Sequence, residues 1–280
     1  MDSRSFIKKL FGKEIEIIVY NPGKNINEII GKMYQEAIRL QKIFNFYDET
    51  SELSILNKKR KLKVSPDLLE VLKKALKYAE ETNGKYDVSM GKDILKRKSG
   101  KEIAGTKALY TNIKINGNEV SLENKDLALD FGSIAKGYIT DKLGEFLKRE
   151  SVKEFVINSR GDILFSGIYQ HIIGIQHPRK EKEIICSIKV SNCGVATSGD
   201  YKQFSGSYEK SHILNRNPEI ISVTTIASNV ENADVFATVL FVSTEKEIQK
   251  IINENKNIKV MIITKDLKQK FYNGFQELIS

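Results

Sequence analysis

The residues best suited to chemistry lie at positions 130–138, which read Asp-Phe-Gly-Ser-Ile-Ala-Lys-Gly-Tyr. They follow the apolar run 127–129 and lead into a segment with helical spacing, 134–147. This order predicts a strand that ends in an acid, a turn at Gly-Ser and a helix with a lysine in its first turn. Such an arrangement can bind a phosphate ester. Backbone N–H groups at the helix start and the ammonium of Lys136 can face the anion, and Asp130 can bind a hydroxyl or amine of the same ligand.

A second candidate site lies later in the chain, where Asp234 and Thr238 are four residues apart. This spacing places them on one face of a helix, where a carboxylate and a hydroxyl can share one Mg²⁺. Each residue also has an ordinary interpretation: the helix dipole favours an acid in a first turn, and threonine can be a polar residue within an apolar stripe. The pair follows the strand-like run 223–227, and this order favours metal binding.

Two further segments present groups that can act on a phosphate. Residues 197–200 read Thr-Ser-Gly-Asp, which predicts a tight turn presenting the hydroxyls of Thr197 and Ser198 and the backbone around Gly199 to an anion. Ser and Asp are also common in turns of any kind. His212 can take a proton from an attacking hydroxyl, or stabilise a leaving phosphate when charged. A structural histidine bonded to a backbone carbonyl is an equally open interpretation.

Taken in order, these segments resemble the ApbE family of FAD:protein FMN transferases. The resemblance covers nearly the whole chain, and none of its segments is decisive alone. The segments are Phe11-Gly12, Tyr47 with Ser51-Glu52-Leu53-Ser54 and Asn57, and residues 86–91, 130–138, 197–201, 212–215, 232–238 and 260–264.

The resemblance implies Mg²⁺-dependent transfer with FAD as substrate. The implied partner is an acceptor flavoprotein whose Thr or Ser hydroxyl attacks the FMN-side phosphorus of FAD and releases AMP, a reaction that depends mainly on alignment and charge neutralisation. The implied site residues are Phe11, Tyr47, Asp130, Lys136, Thr197, Ser198 and Gly199 for FAD, Asp234, Thr238 and the Ser133 carbonyl for the metal, and His212 and Asp234 for catalysis. The two aromatic residues can equally be core or rim residues, and the Ser133 side chain is expected to matter little because its carbonyl is the ligand.

The sequence also departs from the family pattern. Ser159-Arg160 stands where relatives commonly have two glycines before Asp162, and residues 215–217 replace the usual Asp-Pro-Arg. Residues 92–97 stand where many relatives have a tryptophan and small residues. These departures leave two alternatives open: a homologue that binds FAD without transferring FMN, and an FAD pyrophosphatase.

The elements that must position these residues indicate an α+β fold with mixed, largely antiparallel sheets and flanking helices. Many short strand-like runs with few helices argue against a doubly wound sheet. The absence of repeats and of Pro-, Gly- or Ser-rich linkers favours one domain over residues 1–280, with a bilobal form left open. The expected helices begin at Ile26, at Pro66 after an N-cap at Ser65, at Ile134 and at Ala233; the expected strands include 13–20, 119–122, 127–130 and 258–264.

Composition argues against several other classes of protein, although a basic nucleic-acid-binding protein is left as a third alternative. The net charge of +9 invites a nucleic-acid interpretation, but the lysines are interspersed with acids and no basic motif is interleaved with aromatics. The two cysteines, Cys186 and Cys193, are too few for a disulfide scaffold and are expected to be buried as small apolar side chains. No run approaches the ~20 apolar residues of a membrane span. Without a signal peptide or a lipid-bearing cysteine near its start, the chain is expected in the cytoplasm, or in the periplasm or at the cell surface if a leader was removed.

Overall fold

The structure is a computed structural model that describes residues 2–98, 109–200 and 217–280. Its strands, in chain order, are β1 (Ser3–Leu10), β2 (Lys13–Tyr20), β3 (Lys61–Lys63), β4 (Ile113–Asn116), β5 (Glu119–Leu122), β6 (Phe155–Ser159), β7 (Asp162–Ser166), β8 (His171–Gln176), β9 (Ile184–Val190), β10 (Gly194–Gly199), β11 (Ile220–Ala227), β12 (Lys259–Thr264) and β13 (Gln269–Tyr272). Its α-helices are α1 (Ile26–Phe44), α2 (Glu52–Lys59), α3 (Pro66–Glu81), α4 (Gly91–Lys98), α5 (Ala135–Arg149), α6 (Val230–Val242) and α7 (Glu245–Glu254).

Eight of these strands form a central sheet in the order β1-β2-β6-β7-β10-β11-β12-β13. Smaller sheets are formed by β3-β5-β4 and by the β8-β9 hairpin. Every pair of neighbouring strands in these sheets is antiparallel. The α+β prediction with largely antiparallel sheets is therefore confirmed.

The central sheet has an apolar layer on each face, because side chains alternate along every strand. In β6, Phe155 and Ile157 belong to the core under the helices, whereas Val156 belongs to the core on the opposite face. Helices α5 and α6 pack against the first face, and the β8-β9 hairpin with the short helix Phe275–Leu278 contributes to the second core. Both helices that carry predicted site residues thus lie on the same side of the sheet.

Helix α3 shows how local sequence sets these elements. The hydroxyl of Ser65 accepts a hydrogen bond from the N–H of Leu68 at 3.3 Å, and Pro66 occupies the first turn. Such a cap satisfies one of the N–H groups that a helix start leaves unpaired. The cap predicted at Ser65 is confirmed.

The strand predicted at 127–130 is wrong. Only Ala128 forms a bridge, to Met90. The side chain of Asn57 bonds both the N–H and the carbonyl of Leu129, at 2.7 and 2.8 Å, and Arg60 donates to the carbonyl of Leu127 at 2.7 Å. Side chains therefore satisfy the carbonyl of Leu127 and both backbone groups of Leu129, whereas Ala128 and Asp130 bond the backbone of residues 88–91.

The two cysteines, which were predicted to be buried, are only partly buried. Cys186 and Cys193 are free thiols packed against the second core, and burial raises the pKa of the Cys193 thiol to about 11. In the ranges that the structure describes, no helix combines the length and the apolar character needed to cross a membrane.

Candidate functional site

The site is built where helices α5 and α6 meet. A Cβ on Gly137 of α5 would lie 2.7 Å from the Cα of Glu231 on α6, so only glycine permits this approach. One turn further along α5, the carboxylate of Asp141 accepts the N–H groups of Val230 and Glu231, at 2.9 and 2.8 Å. Because these are N–H groups that a helix start leaves unpaired, Asp141 fixes the beginning of α6 against α5.

Asp234 lies one turn into α6 and points into this junction. Its side chain is buried, and its Oδ2 atom has no hydrogen-bond partner in the described part of the chain. Burial raises the pKa of the Asp234 carboxyl well above its ordinary range; the charge of Asp162 raises it further, and Lys136 opposes the shift. Since buried polar atoms are nearly always paired, an oxygen in this position is suited to a cation.

Hydroxyl groups lie beside this carboxylate on the same side of the sheet. Thr238 is one turn after Asp234 on α6, and its Oγ1 is 3.2 Å from the Oγ of Ser198 on β10. Carboxylate and hydroxyl oxygens are hard donors of the type that Mg²⁺ takes, and Mg²⁺ also keeps several waters. The residues present therefore fit a magnesium ion.

The turn predicted at 197–200 is wrong, because Thr197, Ser198 and Gly199 belong to strand β10 and pair with β11. Thr197 bonds the hydroxyl of Thr224 at 2.9 Å, on the sheet face away from α6. The structure therefore brings Ser198 to the site and leaves Thr197 on the opposite face. The roles predicted for Thr197 and Gly199 in holding FAD stay predictions.

Lys136 forms an ion pair with Asp162 at the start of β7. Burial and the charge of Arg160 act to lower the pKa of Lys136, but the carboxylates of Asp234 and Asp162 outweigh them, so its pKa is raised. The lysine is therefore a firmly charged ammonium between two acids. Sequence reasoning missed Asp162, whose only signal was its place directly after the Arg160-Gly161 turn.

The Asp130–Ser133 turn is held by its own side chains. Asp130 accepts the N–H of Gly132 at 2.8 Å, and the hydroxyl of Ser133 donates to the hydroxyl of Tyr86 at 3.0 Å. Burial raises the pKa of Tyr86, and the Asp234 carboxylate adds to this shift although the bond from Ser133 opposes it. The Ser133 side chain thus ties the turn to the buried Tyr86, and the expectation that its identity matters little for the metal stays a prediction.

The start of α5 offers less to an anion than its sequence suggested. The N–H of Ala135, at 2.7 Å, and that of Ile134, at 3.0 Å, both donate to the carbonyl of Phe131. The Lys136 side chain is consequently the clearest anion-binding group of this segment.

The two predicted aromatic contacts have different environments. Phe11 is half-buried in the β1-β2 turn, and its N–H donates to the side chain of Gln41 at 2.6 Å. Tyr47 is 60% exposed, with its ring edge-on to Phe46. The FAD contacts of both residues stay predictions.

His212 lies outside the described residues, as do residues 215 and 216. Within the described ranges, no group of three or more His, Cys, Asp or Glu side chains could hold a metal. A metal site at the α5-α6 junction would therefore combine the single carboxylate of Asp234 with hydroxyl and carbonyl oxygens.

The fold is that of solved flavin transferase structures. A flavin transferase ApbE from Vibrio cholerae superimposes with a TM-score of 0.86 at 23% identity, covering 99% of each chain. An ApbE protein from Thermotoga maritima gives a TM-score of 0.84 at 22% identity over the whole of both chains.

Sequence comparison then assigns the family. The family model "ApbE family" matches residues 11–262, and the chain belongs to this family. A FAD:protein FMN transferase of Vibrio cholerae is 25% identical over 84% of this chain and 77% of the relative. Another, of Haemophilus influenzae, is 26% identical over 82% of this chain and 75% of the relative.

Proposed function

We propose that this protein is a FAD:protein FMN transferase, which moves the FMN part of FAD to a Thr or Ser hydroxyl of an acceptor flavoprotein and releases AMP. The observation that carries the proposal is the buried Oδ2 of Asp234, which has no hydrogen-bond partner among the described residues and lies on the same helix as Thr238 of the Thr238–Ser198 hydroxyl pair, in a chain of the ApbE family. The names of the Vibrio cholerae and Haemophilus influenzae relatives support the same reaction.

The proposed activity depends on Mg²⁺. The ion would be held by Asp234, Thr238 and the carbonyl of Ser133. The hydroxyl of Ser198 lies within hydrogen-bond distance of the Thr238 hydroxyl and could bond it or a bound water. When bound, Mg²⁺ neutralises phosphate charge.

The chain's own residues align the substrate and manage charge. Lys136, held by Asp162, places a cation beside the metal position, where the diphosphate of FAD would lie. A bond forms between the acceptor oxygen and the FMN-side phosphorus as the bond from that phosphorus to AMP breaks, and the AMP phosphate keeps the electron pair. His212 is the proposed acceptor of the proton that the attacking hydroxyl loses.

The test incubates the protein with FAD, Mg²⁺ and an acceptor flavoprotein carrying a Thr or Ser flavinylation motif. The expected result is a fluorescent flavin that stays on the acceptor under denaturing conditions, together with one AMP per flavin. Asp234→Asn should reduce the rate by orders of magnitude, because Asn keeps the shape and removes the charge. Asp266→Asn is the matched control, since that acid is on the surface and pairs with Lys268. Transfer that proceeds equally well in EDTA, or in Asp234→Asn, contradicts the proposal.

The same assay separates the two alternatives motivated by Arg160 and the other departures from the family pattern. Release of FMN and AMP without labelling of the acceptor identifies a pyrophosphatase. FAD binding with no product identifies a homologue that binds the dinucleotide without transferring FMN.

A further inference from the structure

Arg160 lies at the same end of the central sheet as the site. It forms a two-residue turn with Gly161 between β6 and β7, since Ser159 pairs directly with Asp162. The neighbouring strand β2 begins after the Phe11-Gly12 turn, and the pairing of β2 with β6 sets the two turns side by side. Arg160 therefore stands between a predicted flavin contact and the residue that orients Lys136.

The backbone of Arg160 adopts a conformation that favours glycine. Its φ is +65°, and the following Gly161 has a φ of +99°. A side chain with a Cβ costs energy in this left-handed region. Two-residue hairpins of this kind usually carry Asn or Gly there. Neither turn geometry nor packing requires an arginine at this position.

The guanidinium of Arg160 is exposed and only loosely held. In the described part of the chain, its one hydrogen bond is a long one of 3.5 Å, to the carbonyl of Phe11, and no carboxylate there lies within ion-pair distance. Other cations near this end of the sheet are neutralised: Lys136 pairs with Asp162, and Arg179 with Asp200. Among the residues that the structure describes, Arg160 thus has no neutralising carboxylate, and its charge reaches Lys136.

We infer that Arg160 is a substrate-binding residue, which pairs with the diphosphate of FAD together with Lys136. This inference rests on the proposed function and deepens it. A diphosphate carries two charges and many acceptor oxygens, and a guanidinium can bind phosphate through two parallel N–H bonds. Lys136 alone is offset by Asp162, so the second cation supplies the positive charge that an anionic ligand needs.

The test measures equilibrium binding of FAD, ADP and riboflavin to the full chain in saturating Mg²⁺, by flavin fluorescence and by calorimetry. Arg160→Asn removes the charge and suits the backbone, because Asn tolerates a positive φ. We expect its FAD and ADP affinities to fall roughly tenfold to a hundredfold, as for the loss of a charge-assisted hydrogen bond. Riboflavin affinity should not change, and Arg160→Lys should restore only part of the loss, because lysine keeps the charge but not the two parallel N–H bonds.

Arg149→Asn is the matched control. It removes the same charge from an exposed position at the far end of α5, about 20 Å from Lys136 at 1.5 Å per helical residue, and should leave every affinity unchanged. FAD binding by Arg160→Asn within twofold of the unmodified protein overturns the inference, as does an equal loss of riboflavin affinity. A loss of transfer with FAD affinity intact also overturns it, because the arginine would then act on the acceptor protein. Failure of the unmodified protein to bind FAD overturns the proposed function and this inference together.

Discussion

Gly137→Ala is the substitution whose effect follows most directly from the geometry of the site. The added methyl would lie 2.7 Å from the Cα of Glu231, 3.0 Å from its N and 3.1 Å from the carbonyl oxygen of Val230. All three atoms are backbone, so no side-chain rotation can relieve the contact. The two helices must separate, and the bonds from α6 to Asp141 must lengthen.

The magnitude comes from three opposing contributions. Alanine gains about 1 kcal/mol over glycine within a helix, and forced overpacking costs about 1–3 kcal/mol. Weakening two backbone hydrogen bonds to the Asp141 carboxylate costs about 2 kcal/mol more. The expected net loss is about 2–4 kcal/mol in the free energy of unfolding, or a melting temperature lower by about 3–7 °C.

Gly144→Ala is the control on the same helix. Its methyl would meet the tip of the Leu164 side chain and lie 3.5 Å from the Phe155 ring, and these side chains can shift. Its stability should stay within about 1 kcal/mol of the unmodified protein, because the gain in helix propensity offsets the contact.

Urea unfolding followed by circular dichroism measures both variants, and the FMN transfer assay measures the site. Gly137→Ala should lose transfer beyond its loss of stability, because α6 carries Asp234 and Thr238. If Gly137→Ala is as stable and as active as Gly144→Ala, the close approach of α5 and α6 does not position the site.

Two further predictions concern the buried groups around Asp234. The folded protein raises the pKa of this carboxyl from 3.8 to about 8, so it binds the proton more tightly than the unfolded chain does, and the metal-free protein should lose stability as pH rises from about 4 to about 8. The free energy of unfolding, measured with urea in EDTA, should depend less on pH in Asp234→Asn than in the unmodified protein. Equal pH dependence in the two proteins would show that folding does not raise the pKa of this carboxyl. Tyr86→Phe and Ser133→Ala should each reduce Mg²⁺-dependent transfer by a factor equivalent to about 1 kcal/mol. The double variant should lose no more transfer activity than either single variant, since both substitutions remove the same hydrogen bond. Additive losses in transfer rate would show that the two residues act independently.

Local sequence determined most of the helices and much of the sheet. The periodicity of α1, the cap and proline of α3 and the Asp–Thr spacing of α6 depend on residues within one or two turns, and such patterns are visible in the chain itself. The Gly117-Asn118 pair likewise forms the two-residue turn of the β4-β5 hairpin, since Asn116 pairs with Glu119. These elements agree with the sequence because their stabilising contacts are near in sequence.

Tertiary structure decided which of these residues face one another. The sequence 197–199 carries the residue types of a turn but forms a strand, because β11 supplies partners for its backbone. The stretch 127–129 has the apolar character of a strand but is held by Asn57 and Arg60, which lie far away in the chain.

The same distinction holds within the site. The sequence places Lys136 and Asp234 on two helices, but only packing shows that Asp162 pairs with the lysine and that Ser198 reaches Thr238. Such contacts join segments that are tens of residues apart, and they form only when the helices pack on the sheet. Short-range patterns therefore identified the chemical groups, whereas long-range packing determined their pairing, burial and charge.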